Sequence, residues 1–295
     1  MIVAIASGKG GTGKTLVTAA LAEVWPAPVV AVDLDVEAPN LHLFLHPRLS
    51  PPEDATLEVP VADPARCTAC GACVELCQFK AIALFGDFPT VFPDMCHGCG
   101  GCLKVCPAGA LTPGSRVLGE IVDGRAGAIG FLMGRLRIGE ALSPPLIRQV
   151  KARLADGLAK TEGHVDALID SPPGTSCPAV AAVSGADAVV LVTEPTPFGL
   201  HDLKLARHAF ATLGAPLGVV VNRAGTGERR VYDYCRATRL PILAEIPFDR
   251  AIAAAYARGE TAIGVSPGLR DAFDVLAKAI RGLAASAKER TAAHA

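Results

Sequence analysis

Ser7-Gly8-Lys9-Gly10-Gly11-Thr12-Gly13-Lys14-Thr15 follows a short apolar run, residues 2–6, and opens an apolar helical pattern from Leu16 onward. The order is strand, glycine-rich loop, helix. From Gly8 to Gly13-Lys14-Thr15 the spacing is that of a phosphate-binding loop, in which glycines let backbone N–H groups turn inward and the helix N-terminus adds positive partial charge. A polyphosphate is expected against Gly8, Gly10, Gly11, Thr12 and Gly13. Lys14 would reach its outer phosphates as a point charge, and the Thr15 hydroxyl would ligate the magnesium that bridges them.

Around this loop the chain has the composition of a core-forming protein. Its 295 residues make one large or two modest domains, and 51% hydrophobic content with 5% aromatic describes an interior rich in Ala, Val and Leu. Lys+Arg 28 against Asp+Glu 29 gives a formal charge of −1, so no global field draws the chain to nucleic acid or an anionic membrane. The apolar start ends at the phosphate loop and reads as a strand, without a basic leader or a cleavage site. No apolar run approaches the roughly 18 residues needed to span a bilayer. A soluble cytoplasmic protein, without nucleic-acid or membrane partners, is expected.

Lys9 is a second cation inside the loop, which an ordinary phosphate loop does not require. With it the loop resembles the deviant Walker A motif of the MinD, ParA, Mrp and nitrogenase iron-protein ATPases. The resemblance implies an α/β P-loop NTPase with a mostly parallel, doubly wound sheet, working as a homodimer that sandwiches ATP. In that family the lysine matched by Lys9 reaches across the interface to the partner's nucleotide.

Further motifs resemble the same family. Asp33-Leu34-Asp35-Val36-Glu37-Ala38-Pro39-Asn40 is similar to its switch I; by that match Asp35 orients the attacking water, with Asp33 a less direct partner and Glu37 and Asn40 in support. Asp170-Ser171-Pro172-Pro173-Gly174 looks like the Walker B aspartate and switch II, Asp170 holding magnesium through a water and Gly174 presenting its N–H near the terminal phosphate. Lys9, Lys14, Asp35 and Asp170 are thus the candidate catalytic residues. Asn222, in Asn222-Arg223-Ala224-Gly225, fits the family's adenine contact, and Pro247 of Pro247-Phe248-Asp249 lies by the adenine. A guanine reader would want a carboxylate where Gly225 stands, so ATP is expected.

Residues 29–33, 165–170, 188–193, 217–221 and 242–246 read as buried parallel strands. Residues 47–64 carry five prolines among polar residues and read as an ordered linker. Residues 117–122 and 128–138 read as two strands joined through Asp123-Gly124, a favoured hairpin dipeptide, followed by an amphipathic helix over 146–158. In residues 269–283 Leu269, Phe273, Leu276, Ile280 and Leu283 share one helical stripe, which suits core packing; a membrane-targeting helix like that of MinD is the alternative.

Cysteines change the picture in the middle of the chain. Cys67, Cys70, Cys73 and Cys77 form a C-x2-C-x2-C-x3-C run, which Cys96, Cys99, Cys102 and Cys106 repeat, the second ending in Pro107. This is the pattern of bacterial two-cluster ferredoxins, in which the fourth cysteine of each run serves the other cluster. It assigns Cys67, Cys70, Cys73 and Cys106 to one 4Fe-4S cluster, and Cys96, Cys99, Cys102 and Cys77 to the second. Zinc also takes four thiolates and stays open, although two C-x2-C pairs would serve it and the third cysteine would be idle. Gln78 stands where the ferredoxin pattern has proline. Phe79, Phe85, Phe88 and Phe92 supply apolar cover between the runs.

The expected organisation is a P-loop domain in two parts, residues 1–60 and 115–295, with an inserted α+β ferredoxin domain over 61–114. Three functions follow from it: ATP-driven electron transfer through the clusters to a redox or iron-sulfur protein partner, an iron-sulfur carrier or assembly ATPase, and a spatial organiser like MinD or ParA. Cys235 has no C-x-x-C partner, unlike the Mrp-type carriers. Cys177 lies just past switch II, where the nitrogenase iron protein uses a nearby cysteine for a bridging cluster; a small buried thiol is the other reading.

Overall fold

The computed structural model describes residues 1–292, with side chains described to residue 286. The chain forms two compact units. The first comprises Met1–Pro52, Ile121–Arg135 and the chain from Ile147 onward; the second comprises Glu53–Glu120 and Leu136–Leu146.

The first unit is built on a sheet whose strands are β1 (Ile2–Ala6), β2 (Val29–Asp33), β3 (Arg48–Leu49), the C-terminal part of a long strand that ends at Ala126, and five more beyond it. In chain order the remaining strands of both units are β4 (Glu53–Ala62), β5 (Ile82–Phe85), β6 (Phe88–Val91), β7 (Leu111–Ala126), β8 (Ile129–Leu136), β9 (Asp166–Asp170), β10 (Ala188–Thr193), β11 (Leu217–Ala224) and β12 (Ile242–Pro247), of which β4, β5 and β6 lie in the second unit. In the first unit the order across the sheet is β12-β11-β10-β1-β9-β2-β8-β7-β3. From β12 to β8 all neighbours run parallel, and β3 is antiparallel to β7. Parallel neighbours need crossovers, which are supplied by α1 (Lys14–Val24), α5 (Ser143–Lys160), α6 (Cys177–Val183), α7 (Pro197–Ala211) and α8 (Arg230–Ala237), while α9 (Arg250–Ala257) and α10 (Pro267–Ala292) follow the last strand. The short helices α2 (His42–Leu45), α3 (Ala72–Leu76) and α4 (Gly101–Val105) complete the set.

The central strands are apolar throughout because both faces are covered. Val3 and Ile5 belong to the large core with Leu21 of α1 and Phe273 of α10, yet Ala4 and Ala6, of opposite parity, are equally buried. Leu269, Phe273, Leu276 and Ile280 lie in that core. Their stripe is therefore occupied by packing, and no helix among the described residues is long and apolar enough to cross a membrane. β1 sits between β9 and β10, and the connection from β1 to β2 runs across the sheet in the opposite direction to that from β9 to β10; a crevice opens at such a point, at the C-terminal ends of the strands.

In the second unit β4 pairs with β7, β5 and β6 form an antiparallel ribbon with Ile82 opposite Val91, and α3 packs on α4. Its apolar centre is small, made of Val59, Ala81 and Cys96, with Cys77 packed against it. A buried ion pair joins Arg116 to Glu140, whose carboxylate also accepts from the N–H groups of Ala141 and Leu142.

Two local expectations fail. Residues 53–62, expected as linker, are the ten-residue strand β4. The prolines do forbid helix there, but Ala55, Leu57 and Val59 alternate with exposed neighbours at the strand period, and Pro60 is tolerated because β4 needs only its β7 edge. The reversal between β7 and β8 falls at Gly127, at φ 58°, and not at Asp123-Gly124. Gly124 instead lies opposite Leu49 of β3, and the Asp123 carbonyl accepts from Ser50 N–H at 2.9 Å.

Candidate functional site

Strand ends bring the first site together. β1 delivers the loop from Ser7 to Thr15, β2 delivers Asp33 and Asp35, β9 delivers Asp170, β11 delivers Asn222 and β12 ends at Pro247. Gly10, Gly11, Gly13, Lys14, Thr15, Asp35, Asn40, Pro173, Asn222 and Pro247 all line one cleft of about 410 Å³. Gly13 enters α1 at φ 99°, and a methyl there would strike the Asn222 amide nitrogen. That amide donates to the Thr12 carbonyl at 2.8 Å. Asn222 thus braces the loop as well as facing the cleft. No side chain caps the N-terminus of α1, which leaves its first-turn N–H groups available to an anion. The Thr12 hydroxyl is buried and without a partner.

Thr15 is the hub of the acidic side. Its hydroxyl donates to Asp170 Oδ2 at 2.6 Å and lies 3.0 Å from Asn40 Oδ1. A hydroxyl, a carboxylate and an amide oxygen form a hard-donor set suited to magnesium with its waters. Asp33 is fully buried and does not enter the cleft; it accepts from the N–H groups of Asp35 at 3.0 Å and of Asn40 and Leu41 at 2.9 Å, holding the segment after β2 in shape. Burial and the nearby Asp170 push its carboxyl well above the usual range, against the N–H donors of Leu41 and Asp35. Asp35 is raised by burial, with Lys14 opposing. Asp170 is raised by burial to about 6, although Thr15 and Lys14 favour its ionised form. Burial lowers Lys14, and Asp170, Asp35 and Asp33 work against it. These three carboxylates and one ammonium form a charge-dense, half-dry site that a divalent cation would relieve.

Gly174 differs from its expected role. It sits at φ 89° and its N–H donates to the Ser7 carbonyl at 3.0 Å, so presenting it to a phosphate requires switch II to move. Gly8 lines no part of the cleft; it is the point where α7 packs closest to the loop, against the Asp202 carbonyl. Lys9 Nζ points to Glu194 at 3.6 Å. Sequence alone missed Glu194, a buried acid just past β10, and Arg223 and Tyr256, which line the cleft. The signal for Glu194 was a charge directly after the apolar run of β10. Cys235 is buried, its thiol pushed up to about 11 by burial, whereas Cys177 is exposed.

The second unit gathers the eight cysteines into two cavities. One is lined by Cys67, Cys70, Cys73 and Cys106, the other by Cys77, Cys96, Cys99 and Cys102. The fourth cysteine of each run has crossed to the other run's cavity. The two halves repeat one another: Cys67 and Cys96 each accept an N–H two residues on, from Ala69 and Gly98, both at 3.4 Å. Cys77 and Cys106 each accept one four residues on, from Ala81 at 3.3 Å and Ala110 at 3.2 Å. Burial raises Cys73 and Cys102. At Cys106 the same tendency is outweighed by N–H groups led by that of Ala110, and the thiol is lowered. Among the described residues no three His, Cys, Asp or Glu side chains converge on a single ion. Each cavity thus offers four cysteine sulfurs, a soft donor set of the kind that zinc and iron-sulfur clusters both take.

A glycine loop between parallel strand and helix, a buried lysine, and a hydroxyl set against the aspartate of the adjacent strand define a P-loop nucleotide-binding protein. Residues 3–262 match the model of the CobQ/CobB/MinD/ParA nucleotide binding domain, and the chain belongs to that family. It is similar to two proteins of Methanocaldococcus jannaschii, the uncharacterized protein MJ0579, 30% identical over 88% of this chain and 91% of that one, and the uncharacterized protein MJ0578, 35% identical over 68% and 70%. In fold it is similar to the septum site-determining protein MinD, complexed with Mg-ADP, of Pyrococcus horikoshii, with TM-score 0.58, 24% identity and coverage of 97% and 98%.

Proposed function

We propose that this protein is a magnesium-dependent ATPase that works as a nucleotide-gated dimer, as its MinD-like fold suggests. The observation that carries the proposal is the contact between Thr15 and Asp170, which sets a metal-binding hydroxyl beside a buried carboxylate at the foot of the phosphate loop. Lys14 and the N–H groups of residues 10–15 would bind the phosphates. Thr15 would ligate magnesium, which would supply charge neutralisation at the phosphates. Asp35 would orient the attacking water. Lys9 would reach the partner's nucleotide, and Asn222 and Pro247 would border the adenine.

What the switch drives is a separate matter, and three readings stand. The structural similarity to MinD favours a spatial organiser, in which ATP controls attachment to a surface. The crossed cavities favour redox work: Cys67, Cys70, Cys73 and Cys106 would hold one 4Fe-4S cluster, and Cys77, Cys96, Cys99 and Cys102 the other, supplying one-electron transfer to a partner protein when bound. An iron-sulfur carrier is the third reading, and Cys70 and Cys99, one in each set, are exposed.

Anaerobic reconstitution with iron and sulfide assay, paired with sedimentation against liposomes and DNA with and without ATP, separates the readings. About eight iron atoms per chain, retained during incubation with apo-acceptors, support the redox reading. Colourless protein that sediments with either surface only in ATP supports the organiser.

A further inference from the structure

Lys9 is held by a residue that neither the phosphate loop nor the switches contain. Its Nζ lies 3.6 Å from Glu194 Oε2, while Arg223 Nη1 lies 2.7 Å from Oε1 of the same carboxylate. The three side chains are unequally free: that of Glu194 is 9% exposed, that of Lys9 34% and that of Arg223 52%.

The backbone explains which partner can leave. Glu194 is clamped: its carbonyl accepts from Thr196 N–H at 2.8 Å, and α7 starts so close to it that a methyl on Gly199 would overlap that carbonyl. The main chain of Lys9 is also tied, its carbonyl accepting from the Ser7 hydroxyl at 2.6 Å. On the phosphate loop it is the long Lys9 side chain that is left to swing. When it swings, Glu194 keeps Arg223, so no buried carboxylate is stranded without a counter-charge.

We propose that Glu194 is a positioning residue for Lys9, berthing it within its own protomer until a partner's nucleotide draws it away, with Arg223 as the cation that makes its departure cheap. This rests on the dimer reading above. A half-exposed pair of this kind shifts an equilibrium by roughly two- to fivefold.

The two neighbours of Lys9 should therefore act in opposite directions. Sedimentation velocity of the full chain, at saturating magnesium and a non-hydrolysable ATP analogue over a range of protein concentrations, reads the dimer dissociation constant. E194Q should tighten the dimer roughly two- to fivefold, R223Q should loosen it by giving Glu194 to Lys9 alone, and both effects should vanish in a K9A background. Unchanged constants, or shifts of the same sign in both variants, overturn the assignment. A wild-type chain that stays monomeric at every concentration removes the dimer reading itself, and the assignment with it. Should E194Q fail to fold, R223Q carries the test: a looser dimer is expected and an unchanged one is contradictory.

Discussion

Thr15 Oγ1 donates to Asp170 Oδ2 at 2.6 Å, joining the first turn of α1 to the end of β9 across 155 positions of sequence. The hydroxyl gives only its proton to that bond, so its oxygen lone pairs stay free for a cation and the contact can persist when metal enters. T15A removes the ligand and the tie together. Magnesium-nucleotide affinity should fall roughly tenfold or more, while affinity for the nucleotide in EDTA changes much less. Isothermal titration with and without magnesium distinguishes the two, and an equal loss in both would place Thr15 in phosphate binding alone.

Gly13 combines a left-handed backbone at φ 99° with close approach of the Asn222 amide. G13A should destabilise the fold by about 1–3 kcal/mol. Combining it with N222A should return only the steric part, because the backbone strain remains. Urea unfolding midpoints read both values, and full recovery in the double variant would show that strain at φ plays no part.

Burial raises the Asp170 carboxyl to about 6 from an ordinary value of 3.8. Between those values the native state binds more protons than the unfolded chain, so this group's contribution to stability falls as pH rises through the interval. D170N has no such proton to lose. In the absence of nucleotide and metal, the stability of D170N relative to wild type should therefore grow from pH 4 to pH 7. A difference independent of pH would mean that Asp170 ionises at its ordinary value.

Much of this was legible in the sequence, for local reasons. The loop from Ser7 to Thr15, the parallel strands and the cysteine runs carry their signal in contiguous residues, whose spacing alone implies the geometry. Illegible features depend on residues far apart in sequence. Glu194 is an ordinary acid until Lys9 and Arg223 meet it, and Asp33 resembles Asp35 until three N–H groups enclose it. Gly124 misled because its value lies in the close approach of β3, which no dipeptide reveals. β4 was hidden by Pro60 and the prolines that flank it, although the alternation of Ala55, Leu57 and Val59 was present.

If the cavities hold clusters, each variant should affect the cavity rather than the run. C106A and C67A should both disturb the cluster of the first cavity, and C77A and C99A that of the second, with ATP binding preserved in all four. Each pair should lose up to half of the iron and give a matching EPR spectrum. Pairing by run, with C106A matching C99A, would refute the crossed arrangement.

The central claim is a site completed by a second copy, because Lys9 would act on the partner's nucleotide. Its most direct measure is ATP turnover per mole of protein as a function of protein concentration. The specific rate should rise with concentration and level off as dimers saturate, and K9A should stay low throughout. A specific rate constant across concentrations where the chain is monomeric would contradict the account.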